Sequence, residues 1–117
     1  MKQNVLLDKT FDFSVKIVGL ARRLQTEKSE YVLSRQLLKA ATSIGANAEE
    51  AMAGHSSADF LSKLTIAHKE ARETKYWLRL ITASKLHDCS EYLNSIDEIL
   101  RIVSSVLITT KNTTKAP

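Results

Sequence analysis

The chain's single proline is its last residue, Pro117, so the strongest helix breaker is missing from everything before it. Only three glycines interrupt this background. In the central stretch 35–60, apolar side chains recur at about 100° per residue, the period of an amphipathic helix. Those residues are Leu37, Ile44, Ala48 and Ala51. Together these features predict an all-α fold.

Length and composition are typical of one small globular domain. With 117 residues and 44% hydrophobic content, the chain is long enough for a core and too apolar to be mainly disordered. The lone cysteine, Cys89, excludes an intramolecular disulfide framework. The first residues lack the apolar run of a secretory signal, and no segment approaches the roughly 20 apolar residues of a membrane span. We therefore expect a cytoplasmic protein without a membrane partner.

Apolar periodicity divides the chain into four helices joined by short loops. The predicted ranges are about 10–27, 30–53, 57–84 and 88–109, with a loose lead at 1–9 and a polar, disordered tail at 110–117. Helices of this length with short connections predict an antiparallel up-and-down four-helix bundle. No internal repeat or linker divides it, so residues 1–117 form a single domain.

Local signals mark the ends of these helices. Ser29 is the predicted N-cap of the second helix, and Gly54 is the predicted left-handed residue after it. Two pairs have the three-residue spacing of a capping box and open the third and fourth helices: Ser56 with Asp59, and Asp88 with Glu91.

Apolar residues also cover faces that one bundle core does not need. In the first helix, Phe11, Val15 and Val18 lie roughly opposite the core stripe, and the fourth helix is apolar over about half its circumference. This excess predicts homo-oligomerisation.

A polar seam follows the edge of the central helix and continues on the third helix. Its members are Gln36, Ser43, Asn47, Glu50, Glu70 and Glu73. These side chains could form a ligand site, and Glu70 and Glu73 could share a proton as paired acids. Amides and carboxylates at a helix edge more often satisfy one another across a helix or subunit contact, so we favour a structural role.

The sequence contains no pattern that indicates a catalytic, metal or cofactor site. A dinuclear metal bundle needs Glu-x-x-His pairs, which are missing, and His55, His68 and His87 are placed near a loop, on an outer face and in a loop. Cys89 is predicted in the first turn of the fourth helix, where the helix dipole lowers a thiol pKa. Without a placed histidine, we favour a structural cysteine.

Positive charge is unevenly distributed over the predicted helices. The net charge is +4, and one outward arc of the third helix carries Lys69, Arg72, Lys75, Tyr76 and Arg79. Arg22 and Arg23 crowd the end of the first helix. A row of cations with one Tyr suits contacts to a phosphate backbone, because each neutralised phosphate releases counterions. A solvated helix face has the same pattern, and both interpretations stay open.

Two sets of polar residues resemble a known family. The first is Gln36, Ser43–Ile44, Asn47 and Glu50, and the second is Ser57, Asp59–Phe60, Ala67, Glu73 and Tyr76–Trp77–Leu78. In this order they resemble the small four-helix-bundle proteins encoded in intervening sequences of 23S ribosomal RNA genes, often labelled S23 ribosomal proteins. The chain departs from the family's usual Asn-Ile-Ala-Glu-Gly, because it has Ala48 for the Ile and Ala51 for the Gly. That departure should alter local packing more than fold.

The resemblance implies a homo-oligomeric bundle, with a pentameric ring as the candidate assembly. It also implies similarity to the accessory protein of diversity-generating retroelements, which binds nucleic acid and a reverse transcriptase. Taken with the basic arc, it predicts a non-enzymatic oligomer that binds structured RNA or DNA. The alternative is a protein–protein interaction scaffold with no nucleic-acid role.

Overall fold

The computed structural model describes residues 2–115, with side chains described for residues 5–113. Four helices occupy nearly all of that range: α1 Lys2–Lys28, α2 Val32–Met52, α3 Ser57–Ala83 and α4 Ser90–Lys115. No strand occurs among the described residues, and the predicted all-α class is confirmed. Within the same range, no helix combines the length and the apolar character that crossing a membrane would require.

Consecutive helices pack side by side in opposite directions, and α1 closes the bundle against α4. The α1–α2 pair shows the antiparallel order, since Gln25 Nε2 donates to Ser34 Oγ at 3.1 Å near one end and Thr10 lies against Gly45 near the other. Across the diagonals, α1 with α3 and α2 with α4, no two described Cα atoms lie within 8 Å. The result is a rod of about 55 × 21 × 21 Å.

The core lies along the axis of the rod and is built mainly from aliphatic side chains. The apolar stripe predicted in the central stretch is buried, and the largest fully buried side chains of the core include Ile17, Leu20, Leu24, Leu37, Ile44, Leu64, Leu78, Ile81, Ile96, Ile99 and Val103. Burying one such side chain completely contributes roughly 1.5–3 kcal/mol. The sum of these burial free energies, rather than any single contact, holds the four helices together.

Small residues let α1 approach the middle of α2. Ala40, Ala41 and Gly45 are all buried there. A Cβ placed on Gly45 would lie 3.5 Å from Thr10 Oγ1, which is ordinary contact distance. The buried Thr10 hydroxyl donates to the Leu6 carbonyl at 2.8 Å. Its hydrogen-bond donor is therefore satisfied within α1, next to the contact with Gly45.

The prediction of a loose lead at residues 1–9 is wrong over residues 2–9, because α1 already begins at Lys2, and residue 1 lies outside the described residues. Leu6 is fully buried, and Leu7 packs against the core cluster. Leu6, Thr10, Phe13 and Ile17 thus continue a single buried stripe toward the N-terminus.

The prediction that the polar tail is disordered is also wrong over the described residues, because α4 continues to Lys115. Thr113 Oγ1 donates to the Thr109 carbonyl at 2.9 Å within this extension. Adding residues to a formed helix is easy where no breaker interrupts it, and the first proline is Pro117. Residues 116 and 117, the rest of the predicted tail, lie outside the described residues.

Two of the predicted signals around α2 have other roles. Ser29 is not the N-cap of α2; it adopts a left-handed φ of 52° after the end of α1. One N–H of the first turn of α2 is bound instead by Glu30, whose Oε1 accepts from the Ser34 N–H at 2.9 Å. Gly54 does not have the predicted positive φ. A Cβ there would lie 3.2 Å from the Ala51 carbonyl oxygen, so this glycine permits a close approach of backbone.

At the start of α3, the predicted cap is confirmed. The Ser56 side chain accepts from the Asp59 N–H at 3.1 Å.

The turn from α3 to α4 is a Schellman motif around Lys85, which has a φ of 61°. The Lys85 N–H donates to the Thr82 carbonyl at 3.0 Å, and the Leu86 N–H donates to the Ile81 carbonyl at 3.2 Å. The capping box predicted for Asp88 and Glu91 requires the helix to begin directly after Asp88, whereas α4 begins at Ser90. Asp88 still caps this end, because its Oδ1 accepts from the Ser90 N–H at 3.0 Å.

Candidate nucleic-acid interface

The predicted basic arc forms one exposed strip along α3. We call it the α3 basic strip and define it as Lys69, Arg72, Lys75, Tyr76 and Arg79. Four of these side chains are exposed, and Lys75 is half-buried. The strip exists because its residues recur at spacings of three and four on the side of α3 turned away from its buried stripe.

Lys75 differs from the other cations of the strip. Its Nζ lies 2.8 Å from Asp97 Oδ1 on α4. Both side chains are 40% exposed, so the pair is partly screened but its charges are compensated locally. No carboxylate oxygen of a described residue lies within 4.0 Å of a side-chain nitrogen of Lys69, Arg72 or Arg79. Three uncompensated cations therefore remain on the strip.

Tyr76 is held beside these cations by its neighbour Trp77. The two ring centroids lie 5.2 Å apart at an interplanar angle of 74°, an edge-to-face contact. Trp77 is itself oriented, because its Nε1 donates to Glu73 Oε2 at 3.1 Å. The aromatic pair thus connects the α3 basic strip to the polar seam on the same helix.

Arg22 and Arg23 do not join the α3 basic strip. They are exposed near the end of α1, which lies diagonally across the bundle from α3. Arg23 Nε lies 3.4 Å from Glu27 Oε2, one helical turn away. One subunit therefore presents two separate basic regions, and their role in binding nucleic acid stays a prediction.

The polar seam makes local hydrogen bonds and no network between helices in the described part of the chain. Asn47 Nδ2 donates to the Ser43 carbonyl at 2.8 Å, and Ser43 Oγ donates to the Lys39 carbonyl at 2.8 Å. Gln36 and Glu50 are exposed. Glu70 and Glu73 are half-buried, and Glu73 is occupied by Trp77. A role of the seam between subunits stays a prediction.

His68 lies at the α3–α4 boundary rather than on the outer face predicted for it. Its Nε2 is 3.0 Å from Ser104 Oγ. Burial and the nearby Arg72 guanidinium lower the pKa of His68. The neutral imidazole is therefore favoured next to the Ser104 hydroxyl.

Cys89 is buried among core residues at the start of α4, and its structural role stays a prediction. It is fully buried, its N–H donates to Thr82 Oγ1 at 3.1 Å, and its carbonyl accepts from the Leu93 N–H at 2.8 Å. Burial raises the pKa of the Cys89 thiol, opposite to the expected effect of a helix N-terminus. Across the described residues, no cluster of three or more His, Cys, Asp or Glu could hold a metal ion.

Sequence reasoning missed a groove between α3 and α4, next to the α3 basic strip. Ile66, Leu107 and Ile108 supply apolar walls, and Lys69, Arg72 and Lys111 stand around them. The apolar excess of the fourth helix indicates such a surface, but the sequence predicts Lys111 in a disordered tail rather than on this helix. Ile108 is 60% exposed because only part of this excess reaches the core.

Comparisons with known proteins agree with this architecture. The family model described as 23S rRNA-intervening sequence protein matches residues 2–108. A crystal structure of a protein of unknown function from the S23 ribosomal protein family of Bacteroides thetaiotaomicron is similar, with 44% sequence identity and a TM-score of 0.88. The match covers 92% of this chain and 98% of that one. No curated protein matches the chain.

Proposed function

The chain belongs to the 23S rRNA-intervening sequence protein family, and from this premise we propose that it is a non-enzymatic, homo-oligomeric bundle that binds structured RNA or DNA. The observation that carries the proposal is the α3 basic strip. Lys69, Arg72 and Arg79 are exposed there without an ion pair among the described residues. Ten residues of helix separate the first from the last, or about 15 Å, so several phosphates of one backbone can be contacted together.

Oligomerisation is supported by apolar side chains that the bundle leaves uncovered. On α1, Phe11 is 62% exposed and Val15, one turn later, is 57% exposed. Contiguous apolar patches on a soluble protein commonly mark interaction surfaces. Because α1 lies diagonally opposite α3, subunits joined through α1 leave the α3 basic strip open. A ring of such subunits, with five as the candidate number, repeats the strip and gains affinity through multivalency.

The proposal is tested by anisotropy titrations of a structured RNA and a DNA duplex over a salt series, with oligomer mass measured in the same buffer. We compare the wild type with the triple variant Lys69→Gln, Arg72→Gln, Arg79→Gln. If all three cations contact duplex phosphates, the slope of log affinity against log salt falls by about 0.9 per contact.

A matched control removes three exposed lysines elsewhere, through Lys39→Gln, Lys63→Gln and Lys85→Gln. This variant has the same net charge as the first, so it separates position from total charge. Equal affinity of the strip variant and the wild type, or equal losses in both variants, would contradict the proposal.

An interaction scaffold remains the second candidate function. The groove walls favour it, since Ile66 is 39% exposed and Ile108 is 60% exposed next to the cations. A stable monomer that binds no nucleic acid but captures a defined protein through this groove would replace the first proposal with this one. The cytoplasmic location and the likeness to the retroelement accessory protein stay predictions.

A further inference from the structure

The α3 basic strip carries one exposed aromatic ring among its cations. The Tyr76 side chain is 52% exposed, although its ring is in contact with Trp77. The edge-to-face geometry means that Trp77 leaves at least one face of the Tyr76 ring uncovered. Because Glu73 accepts a hydrogen bond from Trp77, the partner that supports Tyr76 is itself oriented.

Two guanidinium groups stand on either side of this ring along α3. Arg72 is four residues before Tyr76 and Arg79 is three residues after it, and both spacings place side chains next to each other on a helix. Both arginines are exposed and make no ion pair with another described residue. Lys75, the cation beside Tyr76 in sequence, is engaged by Asp97. The surface therefore presents one aromatic face between two free cations.

We infer that Tyr76 is a stacking platform for an unpaired base, while Arg72 and Arg79 hold the phosphates on either side of it. This inference rests on the proposed function and adds to it a preference for unpaired nucleotides, in single-stranded RNA or DNA and in the loops of structured RNA. Bases within a continuous duplex keep their faces stacked on one another, so they cannot cover a side chain on a convex helix surface. An unpaired base can, and stacking on an aromatic ring tolerates any base.

The experiment uses the full chain and three fluorescein-labelled probes: a dT12 strand, a strand of equal length whose sugars carry no bases, and a blunt 12-base-pair duplex. Tyr76→Leu should weaken binding of dT12 by roughly 5- to 150-fold. It should leave the affinities for the abasic strand and the duplex unchanged, because those contacts are to phosphates. Tyr76→Phe keeps the aromatic face and should bind dT12 as the wild type does.

A second readout is the emission of Trp77, the chain's single tryptophan. A base stacked on Tyr76 comes close to the Trp77 ring, so dT12 should quench this emission, and the abasic strand should not. Equal losses on all three probes, no loss on dT12, or a change of oligomer mass in Tyr76→Leu would overturn the inference. A change of oligomer mass would show that the Tyr76 side chain lies in a contact between subunits.

The failure of this inference is distinguishable from failure of the proposed function. If Arg72→Gln and Arg79→Gln weaken binding of all three probes while Tyr76→Leu has no effect, backbone binding holds and base stacking is wrong. If the wild type binds no probe at low salt, both are wrong.

Discussion

The Lys75 ammonium lies 2.8 Å from the Asp97 carboxylate and joins the α3 basic strip to α4. The partner thus removes one positive charge from the surface that we propose binds nucleic acid. A half-exposed pair of this kind contributes only about 0.2–1 kcal/mol to stability. Its larger effect is on the charge available to a ligand.

Asp97→Asn should therefore tighten binding of a DNA duplex and steepen its salt dependence by about 0.9, one additional phosphate contact. Stability should fall by less than about 1 kcal/mol. The matched control is Glu98→Gln, which breaks the Lys9–Glu98 pair at 3.2 Å and changes net charge equally. Anisotropy over a salt series measures both effects. The same gain in both variants would show that total charge, not the strip, governs binding.

Leu6→Ala should lower the free energy of unfolding by about 2–5 kcal/mol, the usual cost of truncating a buried leucine. Leu6 is fully buried, whereas neighbouring Val5 is 42% exposed. Val5→Ala is the control and should cost less than about 1 kcal/mol. Urea denaturation measures both. Equal, small effects would mean that the first turns of α1 do not pack on the core.

Gly45→Ala should raise the free energy of unfolding by up to about 1 kcal/mol, because alanine favours a helix and its Cβ would meet Thr10 at contact distance. Gly45→Leu should instead lower it by about 1–3 kcal/mol through overpacking.

Gly19→Ala tests the exposed side of α1, because no described atom other than those of Val18, Leu20 and the adjacent helix backbone lies within 4 Å of the added Cβ. It should stabilise the helix by about 1 kcal/mol if that surface is free in the assembly. A loss of oligomer mass with this variant would identify the Gly19 surface of α1 as a subunit contact.

Cys89 should react slowly with a small alkylating reagent, and the reaction should begin at higher pH than for a free thiol. The reason is that burial raises the pKa of Cys89, so less reactive thiolate is present at any given pH. Mass spectrometry of the folded chain and of the urea-unfolded chain measures the difference. Equal rates in both states would contradict the buried position.

His68 should titrate below the roughly 6.5 of an unperturbed imidazole, since burial and Arg72 both disfavour its charged form. A lowered pKa in the folded state means that stability is present above the unfolded value and is lost as pH falls through the folded one. NMR titration measures the midpoint. Arg72→Gln should move it upward, and Arg79→Gln, the control, should not. An unchanged midpoint in Arg72→Gln would exclude the guanidinium as a cause.

Much of the fold was predictable because it depends on periodicity within single helices. The stripe through Leu37 and Ile44 needs only the helical repeat to predict its burial. The Ser56 cap was equally readable, since its partner is the Asp59 N–H three residues later. Both features follow from interactions that are local in sequence.

The candidate site was predictable only in part. The α3 basic strip follows from helical spacing, and the structure reproduces it. The engagement of Lys75 by Asp97 could not be predicted, because the two residues meet only when α3 and α4 pack. The separation of Arg22 and Arg23 from the strip likewise depends on which helices lie diagonally across the bundle.

The sequence by itself determined four helices, their buried stripes and the existence of a basic face, because hydrophobic period and capping act over one or two turns. Only the tertiary structure decided which cations form ion pairs, where α1 begins and which backbone conformation Ser29 adopts. Leu6 is buried in the core, and Ser29 has a left-handed φ where the chain turns from α1 to α2. Such outcomes depend on partners distant in sequence, whose positions no local pattern records.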